Sequence, residues 1–212
     1  MRKRLYLLIG LPGSGKSTLA ASMQGTCSTL RLVSTDRIRG QLFGDEAIQG
    51  PWSLIWRQVG QQLREIVQQI EQGQCQAVLY DATNTRRQSR RAVIALARSL
   101  AFTHITGLWI DTPLSVCLER NRQRDRQVPD EVIQRMQRQL EGAPPNLEEG
   151  LSCLIRYSSC VDQARSSRTS PPILAPMQMS LQKSQPLNRT SRGTEIPLFS
   201  MTQPNPLDLN SW

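Results

Sequence analysis

The strongest chemical signal in the sequence is a glycine-rich turn. Residues 10–17 fit the pattern G-x-x-x-x-G-K-[ST] without a mismatch. Glycines let the backbone turn its N–H groups toward one point, and the N-terminus of a following helix adds partial positive charge. Lys16 supplies a point charge for β- and γ-phosphates, and the Ser17 hydroxyl can ligate Mg²⁺. We therefore expect the phosphates of a nucleotide to be held by Gly10, Pro12, Gly13, Ser14, Gly15, Lys16, Ser17 and Thr18.

A second candidate group is formed by Asp36 and Arg39, which follow a short apolar run. A carboxylate there would face the nucleotide across the edge of a sheet and could accept the proton of a substrate hydroxyl. Arg39 comes three residues later and could hold an acceptor phosphate or orient Asp36. The alternative is that Asp36 only caps a helix, which is a common role for aspartate.

A third group follows the next apolar run. Asp81 could hold Mg²⁺ as an acidic residue of the Walker B type. Thr83 and Asn84 could bind the phosphoryl acceptor or fix the loop. The simpler interpretation of this segment is a turn with local side-chain caps.

Arginines are concentrated in residues 120–129, where four of them stand two residues apart. In a phosphotransferase such a segment would be a mobile lid that places guanidinium groups on the transferring phosphoryl. A solvated, charged helix end is the alternative. A further cluster, Arg86, Arg87, Arg90 and Arg91, suits either a polyanion or, more commonly, a solvated helix face.

Short apolar runs that alternate with helical patterns must position these residues. Strands are predicted at 5–9, 30–33, 76–80 and 105–110, and helices at 17–23, 52–70, 86–100 and from 114 onward. Unbroken apolar strands of this kind predict an α/β fold with a mainly parallel sheet covered by helices on both faces. Trp52 and Trp56 lie four residues apart on the apolar stripe of the long helix, so they are expected in the core, although they could stack a base.

The composition divides the chain at about residue 162. Residues 163–212 hold seven of the thirteen prolines together with many serines and threonines, and we predict a disordered tail there. Residues 1–162 are predicted to form one domain. The formal net charge of +9 favours a polyanionic partner without identifying one.

Several classes of protein are excluded by composition. No run of residues approaches the ~18–20 apolar residues of a membrane span. The apolar run after Met1 is too short for an export signal. With one histidine and five scattered cysteines, a zinc site is not expected, and reduced thiols predict a cytoplasmic protein.

Taken together, the motifs resemble the P-loop kinase family typified by phage polynucleotide 5′-hydroxyl kinase, and the related small AAA-type ATP-binding proteins. The resemblance covers residues 5–150 and rests on the motifs at 10–18, 34–39, 81–84, 110–113 and 120–129. It implies a P-loop NTPase fold with about five parallel strands, ATP and Mg²⁺ as cofactors, and Asp36 as general base. It also implies that Arg39 contacts the acceptor and that Arg124, with Arg120 next, stabilises the transferred phosphoryl.

The expected activity is transfer of the γ-phosphate to a hydroxyl, most readily the 5′-hydroxyl of a polynucleotide or a related nucleotide or tRNA group. Zeta-type sugar kinases and the seryl-tRNA kinase group share much of the pattern, so the acceptor stays open. Two alternatives are an ATP-binding switch with slow hydrolysis and a kinase for a small metabolite. The sequence indicates no oligomeric state.

Overall fold

The computed structural model describes residues 2–158 and the backbone of residues 178–183. Within these residues the chain forms a six-stranded sheet in the order β2-β3-β1-β4-β5-β6. The strands are β1 (Arg4–Ile9), β2 (Leu30–Ser34), β3 (Ala77–Asp81), β4 (His104–Asp111), β5 (Cys153–Ser158) and β6 (Gln178–Lys183).

The first five strands run parallel, which confirms the predicted parallel sheet of about five strands. β1 lies between β3 and β4, so the chain leaves the centre of the sheet when it enters the glycine-rich turn. Ligands of open α/β sheets bind at the carboxyl ends of the strands, where the strand order reverses. The topology therefore places the predicted phosphate loop at the position where such folds bind ligands.

Helices cover both faces of this sheet. A 3₁₀ helix at Leu147–Glu149 precedes β5. The last α-helix, α6 (Asp130–Gly142), was not predicted, although Ile133, Met136 and Leu140 mark its buried face. The helices are α1 (Lys16–Thr26), α2 (Thr35–Phe43), α3 (Trp52–Glu71), α4 (Arg87–Ser99), α5 (Leu114–Arg122) and α6 (Asp130–Gly142). None of the helices in the described residues is long and apolar enough to cross a membrane.

The core follows from the alternation of side chains along β1. Leu5, Leu7 and Ile9 point to one face and join the larger apolar cluster, which includes buried residues of α3, α4 and α6. Leu8 points to the other face, where a smaller cluster packs against α1. Each fully buried leucine or isoleucine contributes roughly 1.5–3 kcal/mol of transfer free energy. The central strand is thus held from both sides, and its carboxyl end is a rigid base for the turn that follows.

The structure describes one strand within the predicted tail. Residues 178–183 form β6, which pairs antiparallel with β5 at the edge of the sheet. Residues 163–177 and 184–212 of that predicted tail lie outside the described residues.

Candidate active site

The glycine-rich turn connects β1 to α1 in a conformation that only glycine adopts easily. Gly13 has φ 78° and Gly15 has φ 103°, both in the left-handed region. A Cβ at Gly13 would stand 2.4 Å from the carbonyl oxygen of Cys117, so the backbones of the turn and α5 are in close contact. Successive N–H groups in such a turn form a concave site for an anion.

Lys16 is buried inside this turn. Its ammonium Nζ donates hydrogen bonds to the carbonyl oxygens of Gly10 at 3.0 Å and Leu11 at 2.7 Å. Burial lowers the pKa of Lys16 from 10.5 to about 8, although the carboxylate of Asp81 opposes the shift. The turn therefore holds its own cation in a poorly solvated position, where a phosphate anion would be a strong partner.

Ser14 carries a buried polar atom that suits a phosphate oxygen. Among the described residues, its hydroxyl oxygen has no hydrogen-bond partner. Its carbonyl oxygen accepts a hydrogen bond of 2.9 Å from the Thr112 hydroxyl, which fixes the turn against the end of β4. A buried unpaired hydroxyl costs free energy unless a ligand satisfies it, as a phosphate oxygen in this turn would.

Two oxygen donors suit a magnesium ion. Ser17 is exposed in the first turn of α1, and Asp81 ends β3, and both line the same cavity. Hydroxyl and carboxylate oxygens are the hard ligands that Mg²⁺ prefers, together with water and phosphate oxygens. Burial raises the pKa of the Asp81 carboxyl, while the Lys16 ammonium beside it lowers that pKa. The donor set fits Mg²⁺ bound beside a nucleotide.

Asp36 lies in the first turn of α2 and accepts a hydrogen bond of 2.6 Å from Arg39 Nη1. Arg39 is buried, whereas the Asp36 side chain is 51% exposed. A second guanidinium reaches the other carboxylate oxygen, with Arg126 Nη1 at 3.8 Å. The helix cap is made by Ser34, whose hydroxyl accepts from the Arg37 amide at 3.5 Å. Asp36 is therefore free of the capping role that was its alternative.

The loop after β3 is fixed to the centre of the sheet. Asn84 is buried and its side-chain nitrogen donates to the carbonyl oxygen of Leu8 at 2.6 Å. The carbonyl oxygen of Thr83 accepts from the Gly10 amide at 2.9 Å. Two roles were considered for Asn84, binding the acceptor and fixing the loop. Its hydrogen bond to Leu8 fixes the loop. Thr83 and Asn84 both line the cavity.

The interpretation of the arginine cluster on α4 as a solvated face is wrong for Arg90. This side chain is fully buried and forms a bidentate ion pair with Glu149, with both N···O distances at 2.6 Å. It also donates to the carbonyl oxygens of Thr85 and Ala143. Arg90 thus connects the loop after β3 to the end of α6, a structural role that the charge pattern did not indicate.

The predicted lid segment is closed by a side chain that the sequence analysis did not identify. Asn121 is buried, and its amide donates to the Val128 carbonyl at 2.7 Å and accepts from the Val128 amide at 3.0 Å. Arg120 Nη1 lies 4.0 Å from the point where a Cβ of Gly15 would stand. The charge of Arg124 acts on both Lys16 and Asp81. The predicted lid arginines therefore face the phosphate turn.

One open cavity of about 1880 Å³ brings these groups together. It is lined by every predicted site residue except Gly10, whose amide donates to the Thr83 carbonyl and whose carbonyl oxygen accepts from Lys16. Of the described residues that line it, eight are basic and only Asp36 and Asp81 are acidic. Among the further cavity residues, which the sequence motifs did not indicate, are Arg135, Gln139 and Thr112. The amphipathic pattern of α6 would have indicated the helix and its buried face, beside which Arg135 and Gln139 stand in sequence.

Curated proteins with a similar sequence include two kinases of the same name. Mouse L-seryl-tRNA(Sec) kinase is 43% identical over 75 residues, which is 34% of this chain and 20% of the mouse protein. The Methanococcus maripaludis protein of the same name is 24% identical over 137 residues, covering 62% of this chain and 50% of that protein. The chain thus spans half or less of the length of these curated relatives.

Solved structures show the same fold at low sequence identity. A chain of the Pnkp1/Rnl/Hen1 RNA repair complex has a TM-score of 0.55 and 21% identity, with 66% of this chain and 45% of that chain covered. A fungal RNA kinase has a TM-score of 0.53 and 13% identity, with 78% and 41% covered. The family model described as an AAA domain matches residues 5–143. The expected resemblance is confirmed, and the chain belongs to this AAA domain family with the fold of the P-loop kinases.

Proposed function

We propose that this chain is an ATP- and Mg²⁺-dependent phosphotransferase that acts on a hydroxyl group of a nucleic acid. The observation that carries the proposal is the shared cavity of Lys16 and Asp36. An ammonium in a phosphate-binding turn and a carboxylate beside it are the two charges that a kinase needs, one for the donor and one for the acceptor.

In this proposal the turn binds the triphosphate of ATP. Its N–H groups and the N-terminus of α1 stabilise the phosphate charge, and Lys16 exchanges the carbonyl oxygens of Gly10 and Leu11 for phosphate oxygens. The Ser17 hydroxyl and the Asp81 carboxylate would hold Mg²⁺, which neutralises negative charge on the phosphates when it is bound. Thr18 lies beside Ser17 and lines the same cavity.

Asp36 acts as the general base. Its carboxylate accepts the proton of the acceptor hydroxyl, whose oxygen forms a bond to the γ-phosphorus. The bond from that phosphorus to the bridging oxygen breaks, and ADP leaves with the electron pair. Arg39 holds one carboxylate oxygen through its 2.6 Å hydrogen bond and thereby orients the base. General base catalysis of this kind contributes about 10²–10⁴-fold to the rate.

Arg120 and Arg124 stabilise the phosphoryl group during transfer. Arg120 lies in the last turn of α5 and Arg124 in the connection to α6, and both line the cavity together with the phosphate turn. The transition state spreads charge over the equatorial oxygens, where planar guanidinium groups can donate paired hydrogen bonds. Arginine therefore suits this position better than lysine.

The basic lining supports a polyanionic acceptor. Eight cationic side chains among the described residues of the cavity exceed what one nucleotide needs. The names of the relatives point the same way, since they include a seryl-tRNA kinase, an RNA repair complex and an RNA kinase. We propose the 5′-hydroxyl of a polynucleotide as the acceptor, with Thr83 at the acceptor side.

The test is a screen of acceptors. The full chain is incubated with ATP labelled at the γ-phosphate, Mg²⁺, and separate pools of 5′-hydroxyl oligonucleotides, tRNA and sugars. We expect label on the oligonucleotides and an affinity for them that falls steeply with salt, because bound phosphates release counterions. Release of free phosphate alone would indicate an ATPase switch, and label on sugars alone would indicate a small-metabolite kinase.

A further inference from the structure

Two tryptophans at the start of α3 form an aromatic surface in the cavity. The Trp52 and Trp56 ring centroids are 6.2 Å apart, and the ring planes meet at 23°, so the rings are stacked. Both side chains are half-buried and pack against the core on one side, and both line the cavity that holds Lys16 and Asp36. The pair therefore belongs partly to the core, as expected, and partly to the site.

Polar groups that line the same cavity as this pair suit an anionic ligand with an aromatic ring. Arg57 is exposed one residue beyond Trp56 and lines the cavity, as does Ser53 on the same turn. Arg135 of α6 also lines this cavity. Aromatic rings beside guanidinium groups are the usual means of binding single-stranded nucleic acid, through stacked bases and contacted phosphates.

The size of the cavity leaves room for a second ligand. Its volume of about 1880 Å³ exceeds the roughly 300–1,000 Å³ of pockets that hold one small ligand. The phosphate turn and Asp81 belong to the donor nucleotide in the proposed function. The tryptophan pair is not needed by any step of that mechanism, so it is available to the acceptor.

Resting on the proposed phosphoryl transfer, we propose that the Trp52–Trp56 pair stacks the 5′-terminal base of a single-stranded nucleic acid. Stacking fixes the terminal nucleoside so that its 5′-hydroxyl faces Asp36, while Arg57 and Arg135 contact the backbone phosphates that follow. An acceptor without a base would lose this interaction. The pair is therefore a binding and positioning element that distinguishes a nucleotide acceptor from a simple sugar.

The experiment measures binding to the full chain without requiring turnover. A short 5′-hydroxyl oligonucleotide with 2-aminopurine as its first base reports stacking by fluorescence quenching, and a matched oligonucleotide lacks the first base. For the wild-type chain we expect quenching and an affinity about 5- to 150-fold higher for the oligonucleotide with the base, the scale of one stacked base. Equal affinity for the two, or no binding of either, would overturn the inference.

Variants locate the interaction. Trp52→Leu and Trp56→Leu should lose most of this preference, whereas Trp52→Phe should keep part of it because a ring remains. Trp109→Phe is the matched control, since Trp109 lies on β4 beneath the Arg156 guanidinium at 4.6 Å and does not line the cavity. An unchanged base preference in both leucine variants would contradict the proposed position. If a leucine variant does not fold, the comparison of the two oligonucleotides on the wild-type chain still shows whether the first base contributes to binding.

The outcome separates this inference from the proposed function. Quenching without any phosphoryl transfer would support the stacking site and contradict the proposed kinase activity. Phosphoryl transfer with the same KM for the oligonucleotides with and without the first base would support the kinase activity and contradict the stacking site.

Discussion

The buried Arg39 guanidinium holds the exposed Asp36 carboxylate through one hydrogen bond of 2.6 Å. The buried Arg39 cation and the exposed Asp36 anion thus lie one helical turn apart on α2, and both line the cavity. The arrangement restricts the rotamers of the carboxylate, and its second oxygen reaches Arg126 only at 3.8 Å. A proton acceptor that is both oriented and accessible is what base catalysis requires.

Replacing Asp36 by Asn should separate nucleotide binding from transfer. The amide cannot accept the hydroxyl proton, so kcat should fall by about 10²–10⁴-fold while ATP affinity stays within a few-fold of wild type. Both are measured with the acceptor found in the screen. Asp125→Asn, an exposed change in the lid that leaves the cavity lining intact, is the control. Turnover near the wild-type value in Asp36→Asn would remove this residue from the mechanism.

Two neighbouring arginines of the lid should behave differently. Arg124 acts on the phosphate turn, and Arg124→Ala should lower kcat by about 10³–10⁵-fold if its guanidinium stabilises the transferred phosphoryl. Arg122 instead pairs with Asp130 at 2.8 Å and does not line the cavity, so Arg122→Ala should change kcat less than about threefold. Single-turnover kinetics with saturating ATP provide the comparison. Equal losses in the two variants would mean that the lid acts only through its net charge.

Affinity for ATP should depend on pH through Lys16. The pKa of this lysine without nucleotide is about 8, so its side chain becomes neutral as the pH rises above that value. Because phosphate binds the protonated form, each further pH unit should lower ATP affinity about tenfold until the pKa of the complex is reached. Titrations from pH 7 to 9.5 measure this effect, and Lys16→Met should bind weakly without the dependence. A constant wild-type affinity over that range would contradict the prediction.

The lowered pKa of Lys16 also makes the free energy of unfolding depend on pH. The charged lysine is disfavoured in the folded state, so it reduces the free energy of unfolding most below pH 8. This penalty disappears as the pH rises from about 8 to the ordinary value of 10.5. Loss of ATP affinity in that window therefore cannot be attributed to unfolding caused by Lys16.

The buried ion pair should matter for stability. Glu149→Gln leaves the Arg90 charge buried without its counterion, and we expect the free energy of unfolding to fall by about 3–5 kcal/mol. Urea denaturation measures the change. The exposed pair of Arg122 and Asp130 is the comparison, since Arg122→Ala should cost at most about 1 kcal/mol. Similar losses in the two variants would show that burial gives the internal pair no special role.

The sequence was sufficient for the parts of the structure that depend on local patterns. Each predicted strand corresponds to an observed one, and the phosphate turn stands between β1 and α1. The short, unbroken apolar runs at 5–9 and 105–110 allow few alternatives to buried parallel strands. Placement of Asp36 and Asp81 at one edge then follows from the parallel direction of their strands.

Pairings between distant residues could not be predicted in this way. Arg90 and Glu149 are 59 residues apart, and the local pattern of four arginines indicates only a charged helix face. Arg126 and Asp36 are brought together by the lid across the sheet edge. β6 pairs with β5 at the edge of the sheet, and the alternation of apolar and polar residues at 177–182 would have indicated a strand there.

The hydrogen bonds between Asn121 and Val128 turn the lid into a small ring closed by one amide group. The path of this ring is therefore determined before any nucleotide arrives, and its arginines can be exchanged one at a time without opening it. Because the ring continues into α5 on one side and α6 on the other, a rearrangement of the lid would have to move it as a whole. The charges carried by the lid can therefore vary while the backbone path between α5 and α6 stays the same.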